Sequence, residues 1–454
     1  MASETRTSAR AGEPSANTGF GAELASEAEP GALPRTQNAP RHAPMGLFTE
    51  QLSSTPFLVG RADARRSWLY RVRPSTEVGD FSPVPHPGLS AWGSHAAPNL
   101  LGWKPRPLPL EPTDFIDGLT TVAVGGSAAD QAGVAIHGFV ASAPMTRRAL
   151  CSADGESLLL PDEGELEVRT EFGRLVVGPG DVLVLPRGSR FAVNPLGGAS
   201  RRGWWIEVFG AGFALPPRGV IGANGLAESR HFVAPDAAYE DASGEWTIFH
   251  KYSGTLWAAP ANHSPFDVVA WHGTAVPLVY DLSRFCPVGA VAFDHPDPSI
   301  FTVLSAPTAV PGRHAADLVV FPPRWDAALH TFRRPWYHRQ AATEWNAIVT
   351  GPTSNRVYSR GGSFLTPPFT PHGITPDALE RELSGKDDEK PRFIGDGATW
   401  VQLETHFQLS VTDAWREAPW RDADFSSVAR GAKVRFSKAD AGFHSSDTIP
   451  GLKP

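Results

Sequence analysis

The sequence predicts a mainly β chain of two domains, and three observations carry that expectation. Its 44 glycines and 43 prolines are spread along 454 residues and interleaved with short runs of Val, Phe, Trp and Leu, a punctuation that suits strands and turns. Helix-prone composition is concentrated in the charged stretch Pro376 to Lys390, whose Glu/Arg run reads as a solvated helix face. The chain also exceeds the length at which a single core keeps growing, so a second domain or a large extension is expected.

Charge and cysteine content narrow the function. The 41 Lys+Arg against 48 Asp+Glu are mixed along the chain and give a net charge of -7, which argues against nucleic acid or an anionic membrane as a main partner. There is no run of about eighteen apolar residues, so no transmembrane helix is expected. Cys151 and Cys286 lie far apart, which disfavours a disulfide framework and suits a reducing, cytoplasmic compartment. The N-terminus lacks the apolar core of a secretory signal, and Glu4 and Glu13 weaken a transit-peptide reading. Residues 1–17 are expected to be a disordered tail.

Residues 18–285 read as an N-terminal β domain. Within it, Arg65 to Pro74 (R-R-S-W-L-Y-R-V-R-P) has strand alternation, and its arginines are expected to be surface or interface charges. From Gly133 the pattern sharpens into G-V-A-I-H-G-F-V, S-L-L-L-P, E-L-E-V-R-T and the segment Gly173 to Val193. That segment places P-G-D at one turn and P-R-G one strand later, and resembles the second half of the cupin signature, a small β-barrel or jelly roll. Arg190 and Phe191 follow where the usual histidine ligand would be sought, so this barrel is expected to hold no metal. His137 stands alone on an apolar strand, more often a satisfied core residue than a ligand. His263 and His272 lack a second ligand at a suitable spacing and read as packing or subunit-contact residues.

Residues 286–436 read as a C-terminal domain, followed by a flexible tail at 437–454. The stretch Thr331 to Trp345 (T-F-R-R-P-W-Y-H-R-Q-A-A-T-E-W) sets His338 six residues before Glu344, and T-P-H-G adds His372. Six is an even offset, so on a strand both side chains share a face, whereas on a helix they would lie about 240° apart. Two imidazoles and a carboxylate form the ligand set of a non-haem Fe(II) facial triad, which leaves coordination positions open.

Several motifs together resemble the homogentisate 1,2-dioxygenase family. They are G-F-G-A-E-L-A-S-E-A-E-P-G-A-L-P, P-F-D-V-V-A-W-H-G, F-D-H-P-D-P-S-I-F-T-V-L, F-P-P-R-W, Y-H-R and T-P-H-G, in one collinear order from about residue 18 to 436. The resemblance implies a bicupin-like fold with a C-terminal catalytic domain, Fe(II), an aromatic substrate with O2, and a trimer-based or hexameric homo-oligomer. It places the iron ligands on His338, Glu344 and His372, the general base on His295, and a local scaffold on Trp336, Tyr337 and Arg339. Two pocket positions depart from the family pattern: Thr366 stands where a substrate-lining histidine is expected, and Thr353 where a substrate-contacting tyrosine is expected. Three functions follow. The default is ring opening of homogentisate to maleylacetoacetate, as in tyrosine catabolism. The second is a diverged paralogue that opens another hydroquinone, phenol or polycyclic aromatic in a biosynthetic pathway. The third is a catalytically silent binding protein, for which a complete ligand set would be unnecessary.

Overall fold

The computed structural model describes residues 9–11, 17–55, 63–94, 97–198, 200–217, 219, 226–285, 298–326, 337–384, 391–395 and 397–434. Cys286, His295, Trp336 and the segment 437–454 lie outside the described residues.

Strands dominate, and the two α-helices among the described residues are short, Pro376–Ser384 and Asp413–Arg416. The longer one carries the charged run and buries none of its residues, as a solvated face requires. No described helix is long and apolar enough to cross a membrane.

The N-terminal barrel is built from two facing sheets. One has eight strands and includes Arg148–Ser152, Leu166–Thr170, Gly173–Val177, Arg190–Pro195 and Ser243–Tyr252. The other has seven and runs from Leu278–Asp281 through Asp181–Leu185, Gly155–Glu163, Arg201–Phe209 and Ala132–Ala141 to Thr120–Ser127 and Ser410–Val411. The expected turn, strand and turn of Gly173 to Val193 are present. Gly180 (φ 93°) and Gly188 (φ 88°) take the left-handed conformation that those two turns need. The Asp181 carboxylate accepts the Gly178 N–H at 2.8 Å and closes the first turn.

Alternation along the seven-stranded sheet shows why its strands are apolar throughout. Leu159, Leu183, Leu185 and Trp205 point into the barrel, against Leu150, Val168, Leu175 and Phe191 of the facing sheet. Their neighbours Leu158, Leu160, Val182, Val184 and Trp204 point the other way and pack on Leu318, Val320, Trp345 and Leu403 of the C-terminal sheet. The sheet is thus a middle layer buried on both faces, which turns S-L-L-L-P into a continuous apolar run. Truncating either tryptophan to Ala in such a layer costs roughly 3–5 kcal/mol.

The C-terminal sheet has seven strands in the order Thr302–Pro307, His314–Phe321, Thr399–Thr405, Thr343–Thr350, Ser363–Thr366, Leu101–Trp103 and Arg421–Asp422. Two short strands cross between the halves of the chain. Leu101–Trp103 joins the C-terminal sheet beside Ser363–Thr366, and Ser410–Val411 joins the N-terminal sheet beside Thr120–Ser127.

Two expectations change. Arg71 is fully buried rather than a surface or interface charge. Its guanidinium meets Glu50 at 3.0 Å, Glu171 at 2.9 Å and Asp267 at 2.9 Å, and this pairing is what permits a buried cation. In the expected tail, Ala9 and Arg10 pair in parallel with Leu175 and Val176, and Arg10 reaches Glu165 at 2.5 Å.

Candidate metal centre

Glu344 is the second residue of the strand Thr343–Thr350, and it is 5% exposed. His338 does not share that strand: it precedes it, and residues 339–342 form an irregular bend between the two. His338 pairs instead with His372, each backbone N–H donating to the other's carbonyl, at 2.9 and 3.1 Å. The expected neighbours therefore meet, but through a bridge between two irregular segments rather than through one strand face. The bridge sets the two rings 4.0 Å apart between centroids.

The ligand atoms converge. His372 Nε2 lies 3.2 Å and His338 Nε2 3.8 Å from Glu344 Oε1, and the ligating atoms of all three residues fall within 4.8 Å of one another. Among the described residues no other group of three His, Cys, Asp or Glu does so. His372 Nδ1 is 2.9 Å from the Thr370 carbonyl, an acceptor, so Nδ1 carries the proton and Nε2 presents its lone pair. That Nε2 is buried and has no hydrogen-bond partner, as a metal-ligating nitrogen would be. Burial pushes the Glu344 carboxyl up, but the two histidines that face it and the Gln340 amide outweigh it and hold the group at about 2. The carboxylate is ionised at any working pH, so the donor set fits a divalent metal with open positions.

A supporting shell surrounds the triad. Gln340 donates its side-chain N–H to Glu344 Oε1, and its carbonyl accepts the Phe369 N–H at 2.7 Å. Thr366 stands opposite Glu344 on one neighbouring strand and Glu404 on the other, with Asp317 next in the row. Burial and the nearby charges of Glu344 and Asp317 push Glu404 up to about 7. Sequence reasoning missed Gln340 and Glu404. The alternation of Gln402 and Glu404 with Val401 and Leu403 reads as a solvent face, whereas here that face lies beside the ligand carboxylate.

The other candidates sort clearly. Thr366 is 2% exposed and next to the ligand. Thr353 is exposed, on the segment after the strand that leads away from Glu344, and is not brought to the site. Tyr337 and Arg339 flank His338 and are exposed. His137 is buried, between Thr121 Oγ1 at 3.0 Å and Glu207 Oε2 at 2.9 Å. His263 is buried beside Asn262, and His272 contacts Tyr70 at 3.1 Å and Glu23 at 3.2 Å.

The family model described as homogentisate 1,2-dioxygenase N-terminal matches residues 15–282, and the one described as homogentisate 1,2-dioxygenase C-terminal matches residues 283–436. The chain belongs to the homogentisate 1,2-dioxygenase family. The homogentisate dioxygenases are ring-cleaving enzymes, and the His-Glu-His centre agrees with that chemistry. Among solved structures, the protein Ylba from E. coli aligns at TM-score 0.31 and 8% identity over 70% of this chain and 95% of its own. AerE from Microcystis aeruginosa aligns at 0.27 and 7% over 67% and 98%. A single-site mutant of Bacillus subtilis oxalate decarboxylase aligns at 0.29 and 13% over 79% and 89%. Likenesses this partial say nothing about chemistry, so the reading of this dioxygenase rests on its family and its own side chains.

Proposed function

We propose that the chain is an Fe(II)-dependent dioxygenase that opens a dihydroxylated aromatic ring, with homogentisate, converted to maleylacetoacetate, as its default substrate. The observation that carries the metal is the buried, unbonded Nε2 of His372 facing Glu344. His338, Glu344 and His372 would hold the ion, and Fe(II) would supply the redox chemistry that lets O2 react with the ring. The chain's own groups do the rest. Thr370 fixes the His372 tautomer, Gln340 orients the Glu344 carboxylate, and the family position assigns removal of a phenolic proton to His295. A well-placed base of that kind contributes ~10²–10⁴-fold. Both atoms of O2 end in the opened ring.

A second reading rests on Thr366. In the family a histidine lines the substrate pocket at this position; threonine is smaller and is never cationic. Its place opposite Glu344 favours a larger or differently substituted ring, that is, a diverged paralogue acting on another hydroquinone, phenol or polycyclic aromatic. Thr353 contributes to a pocket only if its loop approaches a site other than the one on its own strand. A cytoplasmic trimer or hexamer is the proposed assembly.

Oxygen uptake by Fe(II)-loaded protein with homogentisate and a panel of other hydroquinones tests both readings. Normal uptake with homogentisate selects the default, and uptake with another ring alone selects the paralogue. No uptake with any ring, at full iron occupancy, overturns both.

A further inference from the structure

The polar centre of the N-terminal barrel takes no part in the chemistry above. His137 and Glu207 reach it from one sheet and Lys251 from the other, with Asp154 in the turn after Arg148–Ser152. Each of the four is at most 2% exposed. Lys251 Nζ lies 2.6 Å from Asp154 Oδ2 and 2.7 Å from Glu207 Oε2. Ser152 donates its hydroxyl to the other Glu207 oxygen, and Gly254 N–H donates to Asp154 at 2.9 Å. The rings of Trp205 and Phe209 stand 5.9 and 5.8 Å from Nζ. One cation thus sits between two buried carboxylates, a histidine and two aromatic rings, and its own strand supplies it.

We propose that this centre is a cation site which the chain fills with its own ammonium group, so that the N-terminal barrel takes up no metal and, once Lys251 is shortened, binds a small primary alkylammonium ion. The histidine and carboxylate are of the kind that ligate metal, yet only His338, Glu344 and His372 bring three ligating atoms within 4.8 Å among the described residues. The spacing instead suits an ammonium, whose N–H donors reach carboxylate oxygens at hydrogen-bond length rather than at the ~2.1 Å of a metal bond. Burial drives His137 towards its neutral form, against the pull of Glu207, so Lys251 is the cation of the centre. A cavity of about 40 Å³, walled by Trp92, Val124, Ala135, Phe209 and Gly254, also borders Lys251 and offers a way in.

Replacing Lys251 by Ala deletes the atoms of n-propylammonium and leaves two buried carboxylates uncompensated. In the metal-loaded full chain, Lys251→Ala is expected to lower Tm by about 5 °C. Propylammonium chloride should restore at least half of that loss, and tetramethylammonium chloride at equal ionic strength should not. Metal content should stay at one ion per chain in the wild type and the variant. Equal responses to the two salts, or a second metal ion in the wild type, would overturn the proposal. If Lys251→Ala does not fold unaided, refolding from urea with each salt gives the same reading: recovery with propylammonium alone supports the site, and equal or no recovery sinks it. The neutral triple variant Lys251→Met, Glu207→Gln, Asp154→Asn should ignore propylammonium; a comparable stabilisation there would place the amine elsewhere and also overturn the site.

Discussion

In the N-terminal barrel, Glu207 meets His137 on one side and Lys251 on the other, and its cation is part of the chain. In the C-terminal sheet, Glu344 has a histidine on each side, and one of the two presents a buried nitrogen with no partner. Both carboxylates are held at about 2. At Glu207 burial is outweighed first by the Lys251 charge; at Glu344 it is outweighed first by the two histidines beside it. A buried anion whose cation is covalently attached can only hold a fold together. One whose partners are imidazoles can exchange its cation with solvent, and there the chemistry can reside.

The strongest way to break this comparison is to remove a ligand. His372→Ala or His338→Ala should take metal occupancy from near one ion per chain to near zero and abolish oxygen uptake, while circular dichroism still reports folded strands. Retained stoichiometric iron in either variant would sink the assignment. On the other side, Glu207→Ala leaves Lys251 paired with Asp154 but takes away the partner of Ser152 and His137, and should cost roughly 1–3 kcal/mol, read by urea unfolding, with turnover per folded chain unchanged. A loss of turnover in folded protein would mean that the two centres are not separate.

Smaller effects sharpen the contrast. Gln340→Leu keeps bulk but loses the donor that orients Glu344, and should weaken metal affinity about 10–100-fold in a chelator competition; unchanged affinity would make Gln340 a bystander. The smallest effect concerns the turn at Asp181, where burial first, and then the charges of Asp281 and Glu165, push the carboxyl up from 3.8 to about 7. Its folded form therefore holds a proton that the unfolded chain releases above pH 3.8, and stability falls as pH rises from there through about 7. Asp181→Asn should remove that slope, matching the wild type near pH 4 and exceeding its Tm by a few degrees at pH 8. Parallel Tm curves across that range would show that burial at this turn is less severe than its carboxylate implies.

The turn chemistry of Gly173 to Val193 was legible because Gly180 and Gly188 mark their own positions, and the barrel strands because their apolar runs are long. The grouping of His338, Glu344 and His372 was legible too, although the even spacing of His338 and Glu344 pointed to one strand and the actual cause is the bridge between His338 and His372. Arg71 escaped because its three carboxylate partners, Glu50, Glu171 and Asp267, come from distant parts of the chain. Glu404 and Gln340 escaped because a polar residue facing a buried site carries the same pattern as one facing water. The strands Leu101–Trp103 and Ser410–Val411 are too short to show any period, and only tertiary pairing defines them.

That exchange of strands has a temporal side. Trp103 pairs with Ser363, which lies 260 positions later (363 − 103). At ribosomal speeds of ~5–20 residues per second the early strand waits roughly 13–50 s for its neighbour to be made. Until then the C-terminal sheet does not exist to receive it, and Thr120–Ser127 likewise lacks its edge partner Ser410–Val411. The C-terminal half thus closes on a piece of chain that left the ribosome long before His338, Glu344 or His372 did, and neither half is complete until nearly the whole chain has been synthesised.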